Sequence, residues 1–458
     1  MKSVLLKILN YSFYFVSIAA GLFIANGEAL FGSNPQQKLT LVEIRYCTGI
    51  FLVLVLTMFL INFVRKKYKP SWILLSITFI ICLTNILSIA TFKNQDVFSF
   101  VGVKGEYHEF VYSISAESKF LYSLQAVVLY LTFFVIIDFG HQLFKTKEFL
   151  TIISIGAIAI VLVFIIISYV TEWKRYATFF SNFYNITWLT PQSIFINSNV
   201  YAVMLTISLI SFIFLHIIFK KWFLLLPIIF VYANIVFSWC RSLMVLNLLI
   251  VVAYLIFHIF TKYGSTKKRM IITASIIFGS LCVLVGATLL TLHLTGKLDQ
   301  TINFVFSDSE FFTVRTRTWI WQRSIMTLRY GNWVTGVGNN IFNELLYNFN
   351  VLDVGSYSNS AHNAALELLG TGGLITLISA LAILGMLIYL SIKYFKYNRS
   401  ICFGSLLLIT FSLMFGVLES GFFIFPRTYG FAFLTFLIAI PVISNAKENS
   451  NKMKRNLG

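Results

Sequence analysis

The chain has 458 residues, of which 58% are hydrophobic, 17% are aromatic and only 11% are charged. A water-soluble globule of this length has no interior large enough to hide so much apolar surface, so the composition excludes one. The formal net charge is +18, a value that in a soluble protein would point to nucleic acid, but its distribution along the chain points elsewhere.

Runs of about 20 apolar residues predict helices that cross a hydrocarbon core roughly 30 Å thick. Helices suit that medium because each satisfies its own backbone polar groups. The alternating pattern of an outer-membrane barrel is absent. In chain order the predicted spans are 9–31, 41–64, 71–92, 120–144, 149–171, 199–219, 222–239, 242–260, 270–295, 362–392, 401–418 and 427–445. The fold class expected is therefore an all-α polytopic membrane protein of about twelve transmembrane helices, with 1–458 forming a single integral membrane domain. Lys2 and Lys7 precede the first span, and no small-residue cleavage site follows it, so it is expected to be retained rather than removed as a signal peptide.

Twelve crossings put both termini on one side. With that side inside, cytoplasmic segments hold 21 Lys and Arg and external ones 14, whereas the acidic residues divide 3 to 14. The inner face is then near +18 and the outer face near zero, the positive-inside signature of a multi-pass protein of the plasma membrane. This argues against a nucleic-acid partner and makes membrane lipids the partner of the basic face. The five cysteines are irregularly spaced and form no CxxC. The six histidines are scattered without helical partners, so no metal site is expected.

On the outer side, segments 93–119 and 172–198 are short, and 296–361 is long and rich in Trp, Phe, Tyr and Arg. A long loop without function is uncommon. Within it, Thr313–Tyr330 reads as an amphipathic helix suited to the membrane interface. Only four of the 21 inner cations are arginine, against eight of the 14 outer ones. Lysine suffices for lipid head groups, whereas arginine offers a planar fork that grips phosphate oxygens bidentately. The outer arginines thus suggest a phosphate-bearing ligand, with interfacial anchoring as the alternative. Arg241, in "VFSWCRSLMVLNLL", lies between two apolar stretches with almost no loop. A cation there is costly and reads as functional or as a structural anchor.

Several short motifs occur in order on this outer side. They are "FINSNVYA" with Asn199, "SWCRS" with Arg241, "RTWIW" with Arg317 and Trp321, "GVGNNIF" with Gly336 and Gly338, and "AHNAALELLGTGG" with His362, Asn363, Glu367 and Gly373. Together they resemble the O-antigen ligase and O-antigen polymerase superfamily of membrane glycosyltransferases. The resemblance is closest over about 190–375, a core that includes loop 296–361. His362 and Gly373 match the family's H-x10-G pattern, and Arg317, Trp321, Gly336 and Gly338 match R-x3-W followed by G-x-G. Two departures stand out. The usual adjacent Ser-Arg is here Ser238-Trp-Cys-Arg241, and Ser198 occupies the place where proline often separates the two asparagines.

The resemblance implies a GT-C-like fold and a glycosyl transfer that uses no metal and no cofactor. The donor would be an undecaprenyl-diphosphate-linked glycan at the outer membrane face, passed to an acceptor sugar hydroxyl. A flippase and a chain-length regulator are the partners it allows. The residues suit that reaction. Preplaced positive charge stabilises a diphosphate leaving group; Arg241 and Arg317 are the candidates, with Arg315 beside them. Histidine is a fitting base for a hydroxyl nucleophile. At a helix N-terminus beside arginines, His362 is expected to favour the neutral imidazole. Asn199, Gly336, Gly338 and Gly373 are expected to position substrate. Asn363 reads as a helix-start residue or a sugar hydrogen-bonder, and Glu367 as a carboxylate that orients His362 or as a structural ion pair. Gly372 and Gly373 would admit a close neighbour.

The leading functional reading is a polysaccharide polymerase for capsule, exopolysaccharide or O-antigen. Lysine outnumbers arginine 23 to 12, and the bias to Lys, Ile, Phe and Asn suggests an AT-rich genome, which tilts the choice toward polymerase. Ligation of finished glycan to lipid A core or to protein stays open. So does transport, although the ionisable residues gather at the outer rim, no inverted repeat is visible, and Asp138 is the one clear candidate for a charge inside a span.

Overall fold

The computed structural model describes residues 2–26, 41–64, 69–102, 105–179, 190–195, 198–263, 314–354, 360–419 and 429–455. These residues are 83% helical. Nine helices among them are long and apolar enough to cross a membrane: Lys7–Ala25, Val42–Val64, Trp72–Thr91, Ala116–Leu143, Thr146–Thr171, Ser198–Phe219, Arg241–Thr261, Ala364–Lys393 and Arg399–Val417. The expected span 222–239 is a shorter apolar helix, Trp222–Phe237. The expected span at 427–445 falls on the helix Tyr429–Arg455, which carries Pro441. The expected span 270–295 lies outside the described residues. The chain is thus a helical, multi-pass membrane protein.

One feature departs from an all-α chain. Strand β1 (Gln95–Val101) pairs antiparallel with β2 (Tyr107–Tyr112), inside a segment expected to be a plain external loop. The physical reason lies in the residues. Aromatic and β-branched side chains alternate there and put Phe98, Phe100 and Tyr112 on the buried face, while Val97, Val101, Tyr107 and Val111 are exposed.

The chain divides into two compact units. The first comprises Met1–Ile160, Phe214–Lys221 and Trp319–Gly458, and the second Val161–Ile213 and Trp222–Thr318. In the first, polar caps define where helices begin. Ser71 caps α3 (Trp72–Thr91), Ser115 caps α4 (Ala116–Phe134), and Asn398 caps the helix Arg399–Leu418, each accepting from a first-turn backbone N–H. Apolar side chains stay exposed along α1 (Lys2–Asn26), α2 (Leu41–Val64) and α3, among them Leu9, Ile50, Val53, Ile73 and Phe79, as expected of surfaces that face lipid rather than water.

Opposite ends of this unit gather different segments. At one end, Lys7 pairs with Glu148, Glu448 accepts from the backbone N–H and hydroxyl of Thr146 at 3.0 Å each, and Gln142 bonds to Lys69. The N-terminal helix therefore begins at the end where the C-terminal helix finishes. At the other end, the hairpin meets the segment after residue 313. Tyr330 donates to Ser99 O at 3.1 Å, Phe100 packs edge-on to Phe349, and Tyr112 and Tyr122 both donate to Glu344. Burial, and then the Glu344 charge beside it, push the Tyr112 phenol well above its ordinary pKa, so it remains a donor.

In the second unit, Asn247 donates to Thr206 at 2.8 Å and ties Arg241–Tyr263 to Ser198–Phe219. Glu172 organises the chain ahead of that latter helix. It pairs with Arg175 and accepts from Ser168 Oγ and from the backbone N–H groups of Gln192 and Ser193 at 2.7–3.0 Å.

Candidate active site

The site in the first unit is built around a broken helix. Ala364–Lys393 runs as one element, but Gly372 (φ −143°, ψ 16°) and Gly373 (φ +63°, ψ −164°) leave helical geometry. Only glycine tolerates the latter conformation without strain. A break at membrane depth frees backbone groups that the protein must satisfy. The turn around Asn332–Gly338 supplies them. Val337 N donates to Gly370 O at 2.8 Å, Leu374 N to Trp333 O at 2.9 Å, and Ile375 N to Val334 O at 3.2 Å. Contact is so close that a Cβ on Gly336 would stand 2.6 Å from Gly373 N. Gly336 and Gly373, both expected to position substrate, thus meet at one backbone junction, whereas Gly338 packs on Ile89, whose side chain would stand 2.6 Å from a Cβ there.

Helix α3 locks the junction from the side. Asn85, fully buried, donates to Thr371 O and meets Tyr130 Oη, both at 3.0 Å, and accepts from Asn339 N at 2.9 Å. One helical turn on, Ser88 donates to Thr335 O at 2.7 Å. These residues lie outside the stretch that carried the motifs. Their signal was two small polar side chains six and three positions before the helix end, in a mostly apolar run.

His362 stands just ahead of the broken helix. Its backbone is left-handed, φ +46°, a conformation uncommon for a residue with a Cβ. Asn363 is the N-cap: its Oδ1 accepts from Leu366 N at 3.1 Å, and its Nδ2 donates to Val417 O at 3.2 Å. Of its two expected roles, helix start is the one the geometry displays. Glu367 is buried; it accepts from Ala361 N at 3.0 Å and from Asn343 Nδ2 at 3.2 Å. The carboxylate on the imidazole is Glu419, whose Oε2 lies 2.9 Å from His362 Nδ1. The side chains of this pair are 30% and 15% exposed. Glu419, 57 residues downstream, was missed by the sequence reading; no local spacing could reveal it. A carboxylate, which the sequence reading did not anticipate, therefore contacts the ring. Donation of Nδ1–H to Glu419 corresponds to the tautomer in which Nε2 is the basic ring nitrogen.

The arginines divide. Arg323 is buried on Asp353, bonds to Val101 O at 3.3 Å and stacks on Phe100. Arg175 is engaged by Glu172. Both belong to the outer set that suggested a phosphate ligand, and both forks are occupied by carboxylates. Arg241, Asn199, Arg315 and Arg317 fall in the second unit. Arg241 opens its helix two residues after Trp239, which has φ +56°, and its guanidinium lies 5.8 Å from the Trp239 ring centroid. Asn199 lies in the first turn of Ser198–Phe219, half-buried. Arg317 is half-buried on the helix Val314–Thr327, which realises the amphipathic stretch expected at Thr313–Tyr330. Arg315 is on the same helix, and its side chain lies outside the described residues. From that helix, Trp321 Nε1 donates to His362 O at 3.3 Å.

Among the described residues, no group of three His, Cys, Asp or Glu side chains is arranged to hold a metal ion. No known family model matches the chain, and no curated protein shows significant similarity to it.

Proposed function

We propose that this chain is a glycosyltransferase of the outer face of the plasma membrane, joining undecaprenyl-diphosphate-linked repeat units into a surface polysaccharide. The observation that carries this reading is the His362–Glu419 pair, part-exposed, at the head of a broken membrane helix. A base next to a carboxylate that fixes its tautomer is the arrangement needed to activate a hydroxyl. In the proposed step an acceptor sugar hydroxyl attacks the anomeric carbon of the donor. The bond from that carbon to the diphosphate oxygen breaks, the lipid diphosphate leaves with the electron pair, and the hydroxyl proton passes to His362 Nε2. Arg241, Arg317 and Arg315 are the proposed partners of the leaving diphosphate. Asn199, next to the start of its helix, is a proposed substrate contact.

Transport is the second reading, and one observation favours it: broken helices line the substrate sites of many transporters. Here, however, the freed carbonyls of Gly370 and Thr371 are taken by Val337 N and Asn85. Asp138, the candidate intramembrane charge, is buried in a π-helical turn and accepts from Ser71 N at 3.0 Å. Both features are committed to the fold.

The test is reconstitution of the full chain in lipid vesicles with the lipid-linked repeat unit extracted from cells that lack it. A ladder of lengthening products, undiminished by EDTA, is expected. Product only when a separate acceptor is supplied would identify a ligase instead. Movement of the lipid-linked unit across the bilayer without new glycosidic bonds would replace the transferase reading with transport.

A further inference from the structure

We infer that Glu367 and Trp321 are positioning residues that hold His362 in its left-handed backbone conformation and so aim its imidazole away from the helix it precedes. This rests on the reading of His362 as the base.

The geometry follows from where the glutamate sits. In a capping box, an acidic residue at the third helical position reaches back to the N–H of the N-cap. Here the N-cap is Asn363 and the third position is Leu366, so Glu367 falls one place later. Its carboxylate reaches past the N-cap and accepts from Ala361 N at 3.0 Å. His362 lies between these anchors. Drawing Ala361 toward the fourth helical residue leaves His362 to turn outward, and φ +46° is the result. A left-handed conformation at a side-chain-bearing residue persists only where the surroundings over-determine it. The remaining restraints are present. Asn343 holds the other oxygen of Glu367 at 3.2 Å, Trp321 Nε1 donates to His362 O at 3.3 Å, and Asn363 holds the helix start. Glu419 then meets a ring whose backbone is already fixed.

A merely structural carboxylate would affect folding. A positioning one affects the ring, and two readouts separate the cases. The first is kinetics of the reconstituted chain with the lipid-linked repeat unit. Glu367→Gln keeps an acceptor for Ala361 N and is expected to retain about half of kcat. Glu367→Leu removes the acceptor and is expected to lower kcat at least about tenfold with KM unchanged, the mark of a contribution made in the transition state. Trp321→Phe removes only the indole donor and is expected to lower kcat about threefold. The second readout needs no activity. With isotope-labelled histidine, the signal lost in His362→Gln is expected to show an Nδ1–H tautomer in the wild type and in Glu367→Gln, and a mixture of tautomers in Glu367→Leu and Trp321→Phe.

If Glu367→Leu does not accumulate, Trp321→Phe and Glu367→Gln carry both readouts. Wild-type kcat and an unchanged tautomer signal in Trp321→Phe and in every accumulating Glu367 variant would overturn the inference. A wild-type protein that forms no glycosidic bond, but whose tautomer signal responds as described, would overturn the proposed function and leave the clamp standing.

Discussion

Two charge pairs sit in the same unit, at segments predicted to be external, and they differ in what surrounds them. Arg323 and Asp353 are sealed, with side chains 4% and 1% exposed. Phe100 covers the guanidinium, and Val101 O takes another of its donors. His362 and Glu419 are 30% and 15% exposed, the histidine on a left-handed backbone ahead of a helix that breaks ten residues later. The first pair ties hairpin, loop helix and following helix together. The second stays partly open at the surface of the fold. Charge alone therefore does not mark a functional residue in this protein. Under the proposed function, the distinguishing feature is charge that remains part-exposed on a left-handed backbone.

That contrast can be tested from its strongest side first. Removing one member of a buried pair strands the other, which costs about 3–5 kcal/mol. Arg323→Ala is expected to lower thermal stability by that order or to prevent accumulation, measured by fluorescence-detected unfolding of the purified protein. Glu419→Gln is expected to lower the transfer rate by about 100-fold, near 2.7 kcal/mol, from the loss of a tautomer-fixing partner. Its stability should change by less than about 1 kcal/mol, as for partly exposed pairs. A Glu419→Gln protein that unfolds like Arg323→Ala would erase the distinction. Arg241→Lys should lower the rate about tenfold, because a point charge does not reproduce the bidentate fork. Full activity of the lysine variant would make Arg241 an anchor. Smallest of all, Arg323→Met combined with Asp353→Leu should restore most of the lost stability, since an apolar pair of similar volume replaces a buried ion pair at little cost.

Much of the fold was legible because the length of an apolar run sets what it can cross. Residues such as those from Trp72 to Thr91 announce a span by composition alone. The hairpin was legible in principle, through the alternation around Phe98 and Phe100, but a membrane context draws attention to length rather than to a period of two. Around the site, His362 and the glycine pair could be picked out, since an imidazole and two glycines are conspicuous at the head of a membrane helix. What the glycines do was not legible. The helix at that break receives the backbone of a turn 33–41 residues upstream, and that pairing is set by tertiary packing. The same is true of Glu419 and Asn85, which reach their partners across 57 and 286 residues. Arg175 and Arg323 were over-read as phosphate ligands, because sequence counts a guanidinium without showing that a carboxylate already holds it.

The most direct test of the central claim is the initial rate of product formation by purified His362→Ala, with the lipid-linked repeat unit as substrate and the unfolding temperature measured alongside. The account predicts a fall of at least about 1,000-fold, within the range that a general base supplies, at an unfolding temperature matching the wild type. A well-folded His362→Ala protein that still polymerises within about tenfold of the wild-type rate would contradict it.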